Sequence, residues 1–171
     1  MSHEAYIGFG ANLGDCEATF LACVAALNAV SSTRVKNHSR LYETEPVGIS
    51  DGGAAFLNAA IAVETDLSPE GLIAAMRQIE RELGKSPFHR SDRSRTVDLD
   101  LLLYEERIIQ EQGLEIPHPR MHLRAFVLTP LAEIAPQVVH PVERRTVKQL
   151  LTELSVEEKE SVKQLDSLRG T

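Results

Sequence analysis

The segment 96–104, Thr-Val-Asp-Leu-Asp-Leu-Leu-Leu-Tyr, constrains the fold more than any other stretch of this chain. Its run of Val and Leu closing on Tyr, with turn-forming polar residues before it, reads as a strand. Side chains alternate along a strand, so Asp98 and Asp100 share one face, roughly 6.6 Å apart along the chain. Val97, Leu99 and Leu101 share the other face and pack in a core.

The remaining elements arrange themselves around this strand. Residues 6–9 read as a first strand, 10–15 as a turn, and the Ala- and Leu-rich stretch 16–30 as a helix. A polar second strand is expected over 35–42, and an exposed loop over 43–55, which holds Pro46, Gly48, Gly52 and Gly53. Residues 56–64 read as a third strand. The second helix has a full set of local signals: Ser68 as N-cap, Pro69 at the first helical position, and Glu70 at the positive end. Leu72, Ile73, Met76, Ile79 and Leu83 form its apolar stripe, and Gly84 stops it. A polar loop over 85–94 leads to the acidic strand. A short hairpin follows, then one or two short helices within 116–136 and a last helix near 146–154. The order strand, helix, strand, strand, helix, strand is that of a ferredoxin-like α+β sandwich with a mostly antiparallel sheet, decorated on one side by the last third. One domain is expected over 1–154, with a polar tail, 155–171, that frays.

A chain of 171 residues with 43% apolar residues is long enough for a single core and buries roughly 70% of its unfolded surface. The polar start, residues 1–5, and the short apolar run after it fit neither a signal peptide nor a membrane span, so the cytoplasm is expected. Cys16 and Cys23 are seven apart, on one helix face but about 10 Å from each other, which favours two reduced core thiols. The net charge of −7 argues against nucleic acid as a partner. Positive charge is nevertheless clustered, in Lys85, His89, Arg90, Arg93 and Arg95 and again in His118, Arg120, His122 and Arg124. Two basic groups in an acidic chain point to a small anionic ligand.

Asp98 and Asp100 repel each other unless a divalent cation neutralises them. Hard Mg²⁺ takes one or two carboxylates and fills its other positions with water and phosphate oxygens. The alternative is an ordinary solvent-facing strand. Arg93 and Arg95 before the pair, and His118, Arg120 and Arg124 after it, favour a nucleoside triphosphate site, because guanidinium forks match phosphate oxygens. The run Gly8-Phe9-Gly10-Ala11-Asn12-Leu13-Gly14 reads as a structural turn, since its last glycine is one residue too far for a dinucleotide fingerprint. His118 and His122 lack a third ligand for zinc. Two other classes stay open on the residues alone: a metal-dependent nucleotidyl transferase or cyclase, and a small-ligand module without catalysis.

Five blocks, in order, resemble the 6-hydroxymethyl-7,8-dihydropterin pyrophosphokinase family: 10–15, 41–48, 56–60, 95–100 and 116–131. The resemblance implies a ferredoxin-like fold and transfer of diphosphate from ATP, the co-substrate, to the pterin hydroxymethyl oxygen, with AMP released. It implies that Asp98 and Asp100 hold two Mg²⁺ ions. Arg95, His118 and Arg124 match phosphate contacts, and the loop bearing Arg93 matches a lid. Thr44, Val47, Phe56, Asn58 and Phe126 match the pterin pocket, with the two phenylalanines sandwiching the ring. Glu80 and Leu101 match the nucleoside site. Arg77 stands there in place of a glutamine, and Lys85 in place of an arginine. The expected partners are small molecules, ATP and the hydroxymethyl-dihydropterin, with neither nucleic acid nor membrane, and a monomer is expected.

Overall fold

The computed structural model describes residues 2–11, 16–44, 56–84 and 97–164. Strand β1, His3–Ala11, runs through the middle of the sheet and buries every second residue: Ala5, Ile7, Phe9 and Ala11. It pairs antiparallel with β4, Phe56–Thr65, on one side and with β5, Val97–Tyr104, on the other. Strand β2, Thr33–His38, and strand β3, Tyr42–Thr44, both pair with β4. Helix α1, Cys16–Asn28, links β1 to β2, and helix α2, Pro69–Gly84, links β4 to β5. The result is the expected ferredoxin-like α+β arrangement with an antiparallel sheet.

Both helices lie on one face of the sheet. Phe20, Cys23 and Leu27 of α1, three and four apart, meet Leu72, Met76 and Ile79 of α2 over Ile7, Phe9, Ile61, Val63, Leu99 and Leu101. Burying each large side chain contributes about 1.5–3 kcal/mol. Cys23 is a buried free thiol. Ser68 caps α2 as expected, its Oγ accepting the Gly71 N–H at 3.0 Å. Among the described residues, no helix is long and apolar enough to cross a membrane.

The last third forms a third layer on the opposite face. After the hairpin β6, Ile109–Glu111, and β7, Leu114–Ile116, come a 3₁₀ turn, Met121–Leu123, and helices α3, Ala125–Ile134, and α4, Val147–Thr152. Met121, Leu128, Leu131, Val147 and Leu150 pack there against Ala60, Leu102 and Leu103. Leu102 and Leu103 both reach this layer because the β1–β5 register shifts between Tyr6 and Ile7, which breaks the alternation of β5.

Three expectations are corrected. The first strand is longer than 6–9, and Gly10 and Ala11, assigned to a turn, are strand residues. The second strand, expected unbroken over 35–42, is two strands. Ser39 interrupts it, its N–H donating to Ala60 O while its Oγ accepts the Ala60 N–H, both at 2.9 Å. The segment after Ser155 does not fray at once: it forms α5, Val156–Glu160, and β8, Val162–Gln164, which pairs antiparallel with β3.

His140 lies buried in the loop between α3 and α4, where its Nδ1 accepts the N–H groups of Val142 and Glu143. Burial, and then the nearby His122, hold its pKa below the usual 6.5, with Glu143 opposing. The neutral ring is the folded form, so its stabilisation is complete above the unfolded pKa of 6.5. It is lost as pH falls through the lowered folded value, because a protonated Nδ1 accepts nothing. His140→Asn keeps a similarly placed acceptor that does not titrate. Urea unfolding at pH 7.5 and 5.5 should therefore show a smaller acid loss of stability in the variant than in the native protein; equal losses would remove His140 from the account.

Candidate active site

The third layer covers only part of its face of the sheet. Beyond it, Asp98 of β5 lies directly opposite Gly10 of β1, which lies opposite Asn58 of β4, which lies opposite Tyr42 of β3. One step along, Asp100 faces Gly8, and Gly8 faces Ala60. Directly paired residues share a face, so two carboxylates and one carboxamide stand on the same surface, with Gly10 between Asp98 and Asn58. A Cβ at Gly10 would meet one described neighbour within 4 Å, Asn58 Oδ1 at 3.5 Å. The described chain ends Ala11, Thr44, Phe56 and Val97 all fall at this end of the sheet.

On the acidic side, β5 is the sheet edge, and its outward peptide groups at Leu99 are taken by α2. Glu80 Oε2 accepts the Leu99 N–H at 2.6 Å, and Arg77 Nη1 donates to Leu99 O at 3.0 Å. Arg77 and Glu80 also pair with each other at 2.6 Å. Leu101 turns its side chain into the core on the opposite face, so what it offers at the site is backbone. Ladder parity puts that backbone on the same outer edge as Leu99.

The carboxylates of Asp98 and Asp100 have no hydrogen bond or ion pair with another described residue. Asp98 is open on its groove side, yet the protein beneath and beside it withholds water. Burial pushes its carboxyl above the ordinary value, Asp100 and then Glu80 add to the rise, and Arg77 opposes it. Among the described residues, no three His, Cys, Asp or Glu side chains come together as a cation cage. An unpaired carboxylate couple, open on one side, fits a hard cation that keeps water and phosphate oxygens in its other positions.

The third layer contributes the wall. The His118 N–H donates to Leu102 O at 3.0 Å, fixing the chain after β7 to the edge of β5. His118 thereby senses Asp100 and Arg124. Burial lowers its pKa, Asp100 and Glu115 oppose this, and Arg124 and Arg120 assist it. Its Nδ1 accepts the Arg120 N–H at 3.3 Å, which leaves Nε2–H as a donor. Arg124 stands immediately before α3, with its guanidinium carbon 5.5 Å from the centre of the Phe126 ring. Across the groove, Asn58 Nδ2 donates to Thr44 Oγ1 at 3.0 Å. Strand β3 is tied to α3 by the Tyr42 hydroxyl, which donates to Glu133 Oε1 at 2.7 Å.

The structure brings Asp98, Asp100, His118 and Arg124 into one electrostatic neighbourhood, with Arg77 and Glu80 along the adjoining edge. Asn58 and Thr44 form the far side, and Phe126 stands with Arg124. Lys85, Arg93, Arg95 and Val47 lie outside the described residues, and Phe56 is described through its backbone pairing with Thr44. The role of Gly10 as the bare position between Asp98 and Asn58 was missed; Gly8 is covered by Leu102, whose side chain a Cβ there would meet at 3.4 Å. The signal for Gly10 was present, since both glycines share the two-residue period of the aspartates that they face.

Residues 6–136 match the model of the 7,8-dihydro-6-hydroxymethylpterin-pyrophosphokinase (HPPK) family. The chain is 45% identical over 138 residues to the 2-amino-4-hydroxy-6-hydroxymethyldihydropteridine pyrophosphokinase of Bacillus subtilis, covering 81% of each. It is 40% identical over 151 residues to the protein of the same name from Methylorubrum extorquens, covering 88% of this chain and 93% of that one. Its fold is similar to that of wild-type Plasmodium falciparum HPPK-DHPS, with a TM-score of 0.70 and 16% identity over 90% of this chain. This chain spans 45% of that longer one, and the likeness is one of fold.

The carboxylate pair yields a direct test. In the metal-free protein, carbon-13 NMR should find the Asp98 carboxyl titrating above the ordinary 3.8. Asp100→Asn should bring it part of the way back, because burial remains the larger cause. An Asp98 titration unmoved by Asp100→Asn would mean that the two carboxylates do not share a field.

Proposed function

The chain belongs to the 7,8-dihydro-6-hydroxymethylpterin-pyrophosphokinase family and is a pyrophosphokinase of folate biosynthesis; we propose that it moves the terminal diphosphate of ATP onto 6-hydroxymethyl-7,8-dihydropterin, with Mg²⁺, and releases AMP. The observation that carries this reading is the acidic pair and the Asn58 amide standing on one sheet face, with Gly10 alone between Asp98 and Asn58. This arrangement supports an anion-handling site beside a site for a polar heterocycle.

The hydroxymethyl oxygen attacks the β-phosphorus of ATP. The bond from that phosphorus to the oxygen bridging the α-phosphate breaks, AMP leaves with the bond's electrons, and the hydroxyl proton is released. Asp98 and Asp100 are the residues that would hold two Mg²⁺ ions, which would neutralise the phosphates and make the phosphorus more electrophilic. A primary alcohol in this reaction needs positioning more than a strong base. His118, held neutral, donates Nε2–H to a phosphate oxygen, and Arg124 and Arg95 add guanidinium donors. Arg93 belongs to the loop assigned to close over the phosphates and exclude water. Asn58, with Thr44 and Val47, meets the pterin edge, and Phe56 and Phe126 meet its faces. Arg77, Glu80, Lys85 and the Leu101 backbone take the nucleoside. The enzyme acts as a cytoplasmic monomer on small molecules.

The products decide the matter. ATP incubated with hydroxymethyl-dihydropterin should give AMP and the pterin diphosphate; free pyrophosphate would mark a nucleotidyl transferase or cyclase, and no turnover a binding module. Asp98→Ala and Asp100→Ala should each lower turnover by roughly 100-fold or more in a folded protein. Near-native turnover at ordinary magnesium would take that residue out of the metal site. Asn58→Ala should weaken pterin binding by about 10- to 100-fold and ATP binding far less, since it unpairs a polar edge in a closed pocket. Equal losses of both ligands in calorimetry would make Asn58 a structural residue.

A further inference from the structure

The start of α3 breaks a local rule. Its N-cap is Arg124, whose side chain makes no capping hydrogen bond. A guanidinium has no acceptor atom, and its charge stands at the positive end of the helix. Ala125, the first residue of the helix, is fully buried, so its N–H has no access to water and no local partner. The acceptor comes from 33 positions along the chain: Glu158 Oε2 receives the Ala125 N–H at 3.1 Å.

Glu158 is itself held firmly. Its N–H donates to Ser155 Oγ at 3.0 Å, and its carbonyl accepts the Ser161 hydroxyl at 2.6 Å. Ser155 is the N-cap of α5, so the short helix that presents the carboxylate is capped in its own right. Directly after it, β8 pairs with β3, with Val162 opposite Thr44, so this one segment is tied to the Thr44 side of the groove as well as to the Arg124 side. All of it lies past residue 136, where the match to the family ends.

We infer that Glu158 is a positioning residue of the active site: by capping α3 at Ala125 it sets the aim of the two flanking side chains, Arg124 and Phe126. The carboxylate satisfies the buried donor and supplies the negative charge that the helix end lacks. Arg124 is thereby left free of any capping duty and can direct its guanidinium outward, over the Phe126 ring. The inference rests on the proposed reading in that it takes Arg124 as a contact of the ATP phosphates and Phe126 as a contact of the pterin.

The test combines an amide and an affinity. In the native protein the Ala125 amide should be protected from hydrogen exchange, and Glu158→Ala should abolish that protection. Glu158→Ala should also weaken binding of a non-hydrolysable ATP analogue with Mg²⁺ by about tenfold, whereas Glu158→Gln, which keeps an acceptor oxygen, should stay within about threefold of native. In an Arg124→Ala background, Glu158→Ala should cost little further affinity, because the residue that it positions is gone. Additive losses in that cycle, or native affinity in Glu158→Ala, would overturn the inference. So would an Ala125 amide that exchanges equally fast with and without Glu158, a result readable even in a protein that fails to turn over. Absence of turnover and ATP binding in the native protein would instead defeat the functional reading.

Discussion

The pairing register of β1 is the constraint on which the rest depends. This strand is bonded on both sides, to β4 and to β5, and each partner strand fixes it independently. A slip of one residue in either ladder would turn every side chain to the other face. Ile7 and Phe9 would leave the core, and Gly10 would no longer lie between Asp98 and Asn58. The hydrophobic packing under α1 and α2 therefore does two things at once. It stabilises the domain, and it places the chemistry on the opposite face with no adjustable part. The irregularity in the β1–β5 ladder lies beyond Asp98 and Asp100, at Tyr6 and Ile7, where it turns Leu102 and Leu103 toward the third layer and leaves the acidic stretch regular.

The outer edge of β5 illustrates how exposure and function are reconciled. An open strand edge invites pairing with other chains. Here Glu80 and Arg77 occupy the Leu99 peptide groups, and the His118 N–H occupies Leu102 O. The residues that blunt the edge, Arg77 and Glu80 by side chain and His118 by its backbone N–H, are the same ones proposed to meet the nucleoside and phosphates. Protection of the sheet and construction of the site thus draw on one set of contacts, and the ion pair at Glu80 sits close enough to Asp98 to shape its charge.

The strand at 97–104 and the helix at 69–84 were legible because their information is local. Alternation and capping need no partner to be read, and the structure has the Ser68 cap and the Asp98–Asp100 face where the sequence puts them. The ferredoxin-like order followed from those elements. What failed was information that lives in partners. Glycines suggest turns, and nothing in 8–11 alone says that two strands will enclose it. Ser39 reads as a strand residue until its hydroxyl is seen taking the Ala60 N–H in place of a ladder carbonyl. The stretch after Ser155 is polar enough to look like a fraying end. Its order comes from a cap on a distant helix and a pairing with β3, neither of which leaves a local trace. Within the site, residue types were readable as chemistry, but Gly10 and Glu158 contribute by what they leave open or hold, and that requires the fold.

The places where local preference is overruled are also the places where the site is built. Two like charges sit two residues apart on one strand face, raising the Asp98 carboxyl. Two glycines weaken the central strand, where a β-branched residue would pack better. An arginine stands at a helix start that favours serine or aspartate, and a histidine is kept neutral beside two arginines. Two of these are offset from elsewhere in the protein: the glycines by the doubly paired ladder, and the arginine by Glu158. Asp98 and Asp100 differ: Arg77 only partly opposes the rise at the Asp98 carboxyl, and neither carboxylate has an ion-pair partner among the described residues. A bound divalent cation would supply the missing compensation, and this is the physical reason that the acidic pair, rather than any other feature of the groove, points to a metal and its anionic substrate.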